Sequence, residues 1–262
     1  MKKLAAGLLA LLVMSASLVG CQASTKPQTD DDVLFQYSTL DSLMAGVFDG
    51  DITAGELKQH GDLGIGTFNA LDGEMVEVDH KVYQVKSDGV AYPVADTQKA
   101  PFAVVTYFSA DQTVEVRDLD CGQLQSFLDN TQLPTLNVPY AIKISGVFVQ
   151  LQTRSVPKQT KPYRTLAEVV KTQSTFDFQI VEGVMVGFRL PSYMAGANAA
   201  GYHLHFLTAD RKAGGHVLSC RVQRVTVEID LTDEWQTVLP SDPAFYLVDL
   251  SSKGPQGSNA TE

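Results

Sequence analysis

The sequence predicts an α+β, β-dominated fold, with two β-rich domains and a few short helices. Three observations carry this. Strand-like stretches that alternate or run apolar recur along the chain, among them "EMVEV" (74–78), "KVYQV" (81–85), "FAVVTYF" (102–108) and "YAIKISGVFVQLQTRSV" (140–156). Helical spacing is confined to four short segments. With 262 residues, 44% apolar and 19% charged, the chain can bury one large core or two small ones.

The N-terminus stands apart from this pattern. "MKKLAAGLLALLVMSASLVGC" has a basic start (Lys2, Lys3), an apolar stretch and small residues before Cys21, the pattern of a secretory signal. Its end, "LVGC", looks like a bacterial lipobox, so residues 1–20 are expected to be cleaved and Cys21 lipidated. A membrane anchor fits less well, because the apolar run is short and broken by Ser15 and Ser17. Residues 21–32 then read as a polar tether.

The fold begins at residue 33. Leu40, Leu43, Met44 and Val47 share one helical face, and Gly50 stops that helix. Thr53 and Glu56 form a capping box for a second short helix, ended by Gly61. Strands follow, punctuated by turns at Asp72-Gly73 and Asp88-Gly89. "CGQLQSFLDNT" reads as a helix, and the long strand after it has a bulge or bend at Gly146. A capping box from Thr165 to Glu168 opens a fourth helix, and the rest is a meander of strands. The proline- and lysine-rich "VPKQTKPYR" places a division near residues 155–165. The expected domains are 33–160 and 161–250, with a C-terminal tail over 251–262.

Net charge is −10. Cleaving residues 1–20 removes two lysines and no acid, which moves it to −12. So acidic a chain is a poor candidate for nucleic acid or for anionic membrane surfaces. Contact with a membrane is expected only through the lipid on Cys21, which makes the protein exported and anchored at the cell surface or in the periplasm. Export permits a disulfide between Cys121 and Cys220, and two buried free thiols satisfy the sequence equally.

Three of the five histidines fall within "GYHLHFLTADRKAGGHVLSC" (201–220). On a strand, His203 and His205 point to one face, about 7 Å apart. The two glycines ending the turn let the returning strand bring His216 beside them. Three imidazoles and an open position form the ligand set of a catalytic zinc site on a hairpin of the second domain. Zn2+ is the first choice, although copper, nickel and iron accept the same ligands. His60, ending a helix, and His80, in a turn, have no partner in any metal pattern.

"HLHFLTADRKAGGHV" together with "GDLGIGTFNALDGEMV" (61–76) resembles the bacterial α-acetolactate decarboxylase family. "YQVKSDGVAYPV", "APFAVVTYF", "TRSVPKQTKPY" and "EGVMVGFRLP" extend the resemblance over about residues 33–250. The resemblance implies a zinc-dependent homodimer that converts 2-acetolactate to acetoin and carbon dioxide. It implies His203, His205 and His216 as zinc ligands, and Thr67, Glu74 and Arg154 as active-site residues. It also implies a glutamate reaching the metal from the C-terminal tail, matched by position alone at Glu262.

The chemistry suits these residues. Losing carbon dioxide leaves an electron pair, and a redox-inert metal chelated by the substrate ketone and hydroxyl would stabilise the resulting enediolate. Arg154 would hold the carboxylate or oxyanion. Glu74, if burial raises its pKa, would deliver the proton, and Thr67 would orient a water or the glutamate. By spacing alone these three are an ordinary surface charge, a solvated turn acid and a strand threonine. Two rival functions fit the histidines too: a zinc hydrolase, and a lipid-anchored protein that captures metal or solute.

Overall fold

The computed structural model describes residues 32–251. The signal segment, Cys21, the tether up to residue 31 and Glu262 lie outside that range. Among the described residues strands dominate, as expected. In chain order they begin with β1 (Val33–Tyr37), then α1 (Leu40–Met44), β2 (Ile52–Thr53), α2 (Ala54–Leu57) and β3 (Leu63–Thr67). There follow β4 (Glu74–Val78), β5 (Lys81–Val85), β6 (Ala91–Pro93), β7 (Lys99–Ala100), β8 (Phe102–Thr106) and β9 (Gln112–Arg117). Next come α3 (Cys121–Phe127), β10 (Tyr140–Ser155), α4 (Leu166–Val169), β11 (Ser174–Leu190), β12 (Gly201–Thr208) and β13 (Gly214–Leu231). The series closes with β14 (Glu234–Val238) and α5 (Pro243–Leu247).

The helices are short and set by their caps. Glu56 accepts from the Thr53 backbone N–H at 2.8 Å, and the Thr53 hydroxyl accepts from the Glu56 N–H at 3.2 Å, the expected capping box. The Thr165 N–H and hydroxyl both donate to Glu168. α3 has an unexpected capping box of its own, between Asp120 and Gln123, and runs on into a π-helical turn over Leu128–Gln132. α2 stops at Leu57, so His60 is not the helix end the sequence suggested. It stacks flat on Phe35, ring centroids 3.7 Å apart, and burial lowers its pKa. His80 does sit in a turn, between β4 and β5.

Two large sheets form the body. The first is seven-stranded, in the order β14-β1-β8-β3-β4-β5-β6. In the second, β10 pairs along its length with both β11 and β13, while β12 bridges β11 and β13. Four antiparallel strands thereby close on themselves, and β9 is added at the outer edge of β13. The register beside β10 shifts just after Gly146. That glycine has φ +147, and a Cβ on it would lie 2.4 Å from the Arg224 carbonyl oxygen, so the expected irregularity is a close backbone approach only glycine allows.

The sheets do not part the chain at residues 155–165. β9 and β10, from before that stretch, belong to the second sheet, and β14 returns to pair in parallel with β1 at the edge of the first. The proline- and lysine-rich run is a surface connection. Strand partnership is decided by long-range pairing, which composition does not report.

Alternation along β4 distributes its side chains between two cores. Val76 and Val78 join the layer between the sheets, with Ile65, Val104, Val186 and Leu207. Met75 packs on the opposite side, with Phe35, Leu57, Phe68 and Val105. A third cluster fills the closed sheet, where Leu124 and Leu128 from the α3 segment meet Ile144, Phe148, Met185, Phe206 and Val225. Cys121 and Cys220 are joined as a disulfide across this region, which decides between the two states the sequence left open.

Glu77 shares the Met75 side of β4 and is 0% exposed, with no hydrogen-bond partner for either carboxylate oxygen. Burial pushes its pKa from the ordinary 4.5 up to about 8; Asp62 adds to the rise and Lys58 opposes it. The folded protein therefore keeps a proton that the unfolded chain releases above pH 4.5. This contribution to stability is complete below that pH and is lost as pH rises towards 8, at up to about 1.4 kcal/mol per pH unit. Glu77→Gln is expected to flatten the decline between pH 5 and 8, measured by denaturant unfolding. The buried histidines give the opposite slope and cancel in the comparison. Parallel curves for the two proteins would show that Glu77 does not titrate this way.

Candidate metal centre

The strand period and the turn bring the histidines together as expected. His203 and His205 lie two apart on β12, and His205 is the direct cross-strand partner of His216 on β13. The Thr208 hydroxyl accepts from the Lys212 and Ala213 N–H groups and donates to Asp210, which shapes the turn. The three ring centroids are 5.1, 4.9 and 5.2 Å apart. One nitrogen from each ring lies within 4.8 Å of the others.

The electrostatics favour a metal. Burial lowers the pKa of His203 to about 4 and holds His205 and His216 well below the ordinary value, with the Arg154 charge reinforcing each shift. All three rings are neutral at pH 7 and keep a lone pair to donate. The His205 Nδ1–H donates to the Met75 carbonyl at 2.7 Å, which leaves its buried Nε2 without a partner. A backbone carbonyl behind a ligating imidazole fixes tautomer and ring plane. His203 Nδ1 is likewise buried and unpartnered, while its Nε2 lies 3.2 Å from His216 Nδ1. Orphaned ring nitrogens are costly unless something takes them up. A divalent cation fits this donor set.

Glu74 and Arg154 come from different sheets. Glu74 opens β4 just after the Asp72-Gly73 turn, and its Oε1 accepts from Arg154 Nη1 at 3.0 Å. Its Oε2 lies 3.6 Å from His205 Nε2; with His205 neutral this is a polar contact and no ion pair. Burial raises the Glu74 pKa, and the Arg154 charge pulls it partly back. Arg154 faces His216 across the β10–β13 ladder. Gly73 has φ +83, and a Cβ there would meet the Val85 carbonyl oxygen at 2.3 Å, so the turn that aims Glu74 requires glycine.

Thr67 stands opposite Glu74 on β3, but its hydroxyl donates to the Gly73 carbonyl at 2.7 Å. It holds the backbone behind Glu74. The histidines, Glu74, Arg154 and Thr67 all line one cavity of about 720 Å³. Its remaining walls include Leu40 and Leu43 of α1, Leu166 and the neighbouring Val170, and the Cys121–Cys220 disulfide. Arg154 is the one lysine or arginine among the described residues on that wall. Glu262 is outside the described residues, so the tail carboxylate is not placed.

The Met75 carbonyl and the apolar walls escaped the sequence reading. A backbone acceptor leaves no trace in residue type, and the helix leucines read equally well as plain core.

The family model described as alpha-acetolactate decarboxylase matches residues 34–252. The alpha-acetolactate decarboxylase of Methanosarcina mazei is 47% identical over 220 residues, covering 84% of this chain and 76% of that protein. The enzyme of that name from Methylococcus capsulatus is 47% identical over 225 residues, covering 85% of each chain. The crystal structure of alpha-acetolactate decarboxylase from Bacillus subtilis superposes with a TM-score of 0.82 at 40% identity, covering 85% of this chain and 94% of that one.

Proposed function

The chain belongs to the alpha-acetolactate decarboxylase family, and from that premise we propose that it decarboxylates 2-acetolactate to acetoin with a zinc ion held by His203, His205 and His216. The observation that carries this is the meeting, in one cavity, of three neutral imidazoles with a buried Glu74 paired to a half-buried Arg154. Bound zinc would supply Lewis acidity towards the ketone and hydroxyl oxygens of the substrate, without redox change.

The protein's own groups account for the rest. Arg154 spends one N–H on Glu74 and has four more, a fork that suits the substrate carboxylate. The apolar walls keep water from the reacting carbon. When the carboxylate leaves as carbon dioxide, its electron pair stays on the carbon that carried it. Glu74 delivers a proton to that carbon from one side, which completes acetoin and makes it chiral. Burial, which raises the Glu74 pKa, favours the protonated acid this step needs. Thr67 holds the Gly73 carbonyl, so the Glu74 backbone stays in place through the transfer.

Export and lipidation at Cys21 are part of the proposal; the Cys121–Cys220 disulfide supports an oxidising compartment. A homodimer and a tail carboxylate from Glu262 complete it. The test is acetoin formation from 2-acetolactate by the purified protein, with no added organic cofactor, with and without chelator. Acetoin that disappears with chelator and returns with zinc is expected. Metal retention without acetoin would favour the capture protein, and ester or amide cleavage instead would favour the hydrolase.

A further inference from the structure

Three side chains reach from the closed sheet into β4 and β5. His205 donates to the Met75 carbonyl, Arg154 to Glu74, and the Ser155 hydroxyl to the Val85 carbonyl at 2.8 Å. In the function proposed above, the first two serve a metal and a substrate. Ser155 serves neither. It is 0% exposed, uncharged and absent from the cavity wall, and it follows Arg154 as the last residue of β10.

Its acceptor occupies a telling place. Val85 is the ladder partner of Glu74 on β5. The Val85 carbonyl is also the group against which Gly73 packs, where a Cβ would come within 2.3 Å. One carbonyl oxygen therefore touches the residue before Glu74 and the residue after Arg154. The two partners of the 3.0 Å contact are referenced to a single fixed atom.

We propose that Ser155 is a positioning residue for the decarboxylation: its hydroxyl on the Val85 carbonyl fixes the end of β10 against the turn before β4 and so sets how Arg154 meets Glu74. The inference rests on the roles given to those two residues. Neither the proton nor the substrate alters a neutral buried hydrogen bond, so it holds the spacing while Arg154 shares its donors. Displacements of a fraction of an ångström at such a contact are felt in turnover more than in binding.

Ser155→Ala is expected to lower kcat about tenfold, the size of one neutral buried hydrogen bond. KM should stay within about threefold and metal content should not change. Ser155→Thr, which keeps the hydroxyl, should recover most of kcat. In an Arg154→Lys background the alanine change should add no further loss, because the contact it sets is already altered. Native kcat in Ser155→Ala, or a full tenfold loss persisting beside Arg154→Lys, overturns the proposal. If the alanine chain does not fold, Ser155→Cys fills the site with a weaker donor; an intermediate kcat supports the proposal and a native kcat overturns it. Full turnover in both Glu74→Gln and Arg154→Lys would instead remove the catalytic reading beneath it.

Discussion

Glu74→Gln is expected to cut acetoin formation by about a thousandfold while leaving one metal ion per chain. The amide keeps the shape of the carboxyl and can still face Arg154, but it has no proton to give. General acids contribute on the order of a hundred- to ten-thousandfold, and Glu74 is the carboxyl that lies beside the histidines, 3.6 Å from His205 Nε2. The His205 ring stays oriented, because its Nδ1–H bonds to the Met75 backbone carbonyl, which the substitution leaves in place. Metal content by elemental analysis and steady-state acetoin production are the two readouts. Turnover within tenfold of the native protein would take the proton-donor role away from Glu74. Loss of the metal along with activity would make Glu74 a ligand instead.

Removing the Cys121–Cys220 bridge should give the largest stability effect. The bond closes a loop between residues 99 apart. For a loop of about 100 residues, the constraint on the unfolded chain amounts to about 4.7 kcal/mol. In a domain of this size that corresponds to a fall in Tm of roughly 10 °C or more. Catalysis should survive below the new Tm. The approach to α3 is also tied to β13 by backbone bonds, Val222 N–H to the Leu119 carbonyl and a bridge between Asp120 and Arg221. The cavity wall therefore keeps its place without the bridge. Differential scanning calorimetry of a Cys121→Ala, Cys220→Ala double variant checks this. A Tm within about 2 °C of native would show that the unfolded chain gains little freedom when the bridge is lost.

Much of the candidate site was legible because it is local. His203 and His205 share a face by strand period alone, and the glycine-ended turn returns the chain at His216, directly opposite His205. The capping boxes at Thr53 and Thr165 were legible for the same reason, since three-residue spacing is enough to define them. Glu74 and Arg154 were different. Their side chains look like a turn acid and a surface charge, and only the resemblance singled them out. They are 80 residues apart and on different sheets, so nothing in their neighbourhoods announces that they meet.

By itself the sequence determined which residues could be ligands, where strands and short helices begin, and which positions face a core. These depend on periods of two or three to four residues and on caps, all within reach of neighbouring side chains. The tertiary structure alone decided that β14 returns to β1, that β9 and β10 join the second sheet, and that the two cysteines bond. It also decided that Thr67 spends its hydroxyl on Gly73 and that Glu77 is buried without a partner. These outcomes arise where distant segments pack together. The free energy that fixes them comes from burial and from hydrogen bonds across long loops, and no local run of residues carries either.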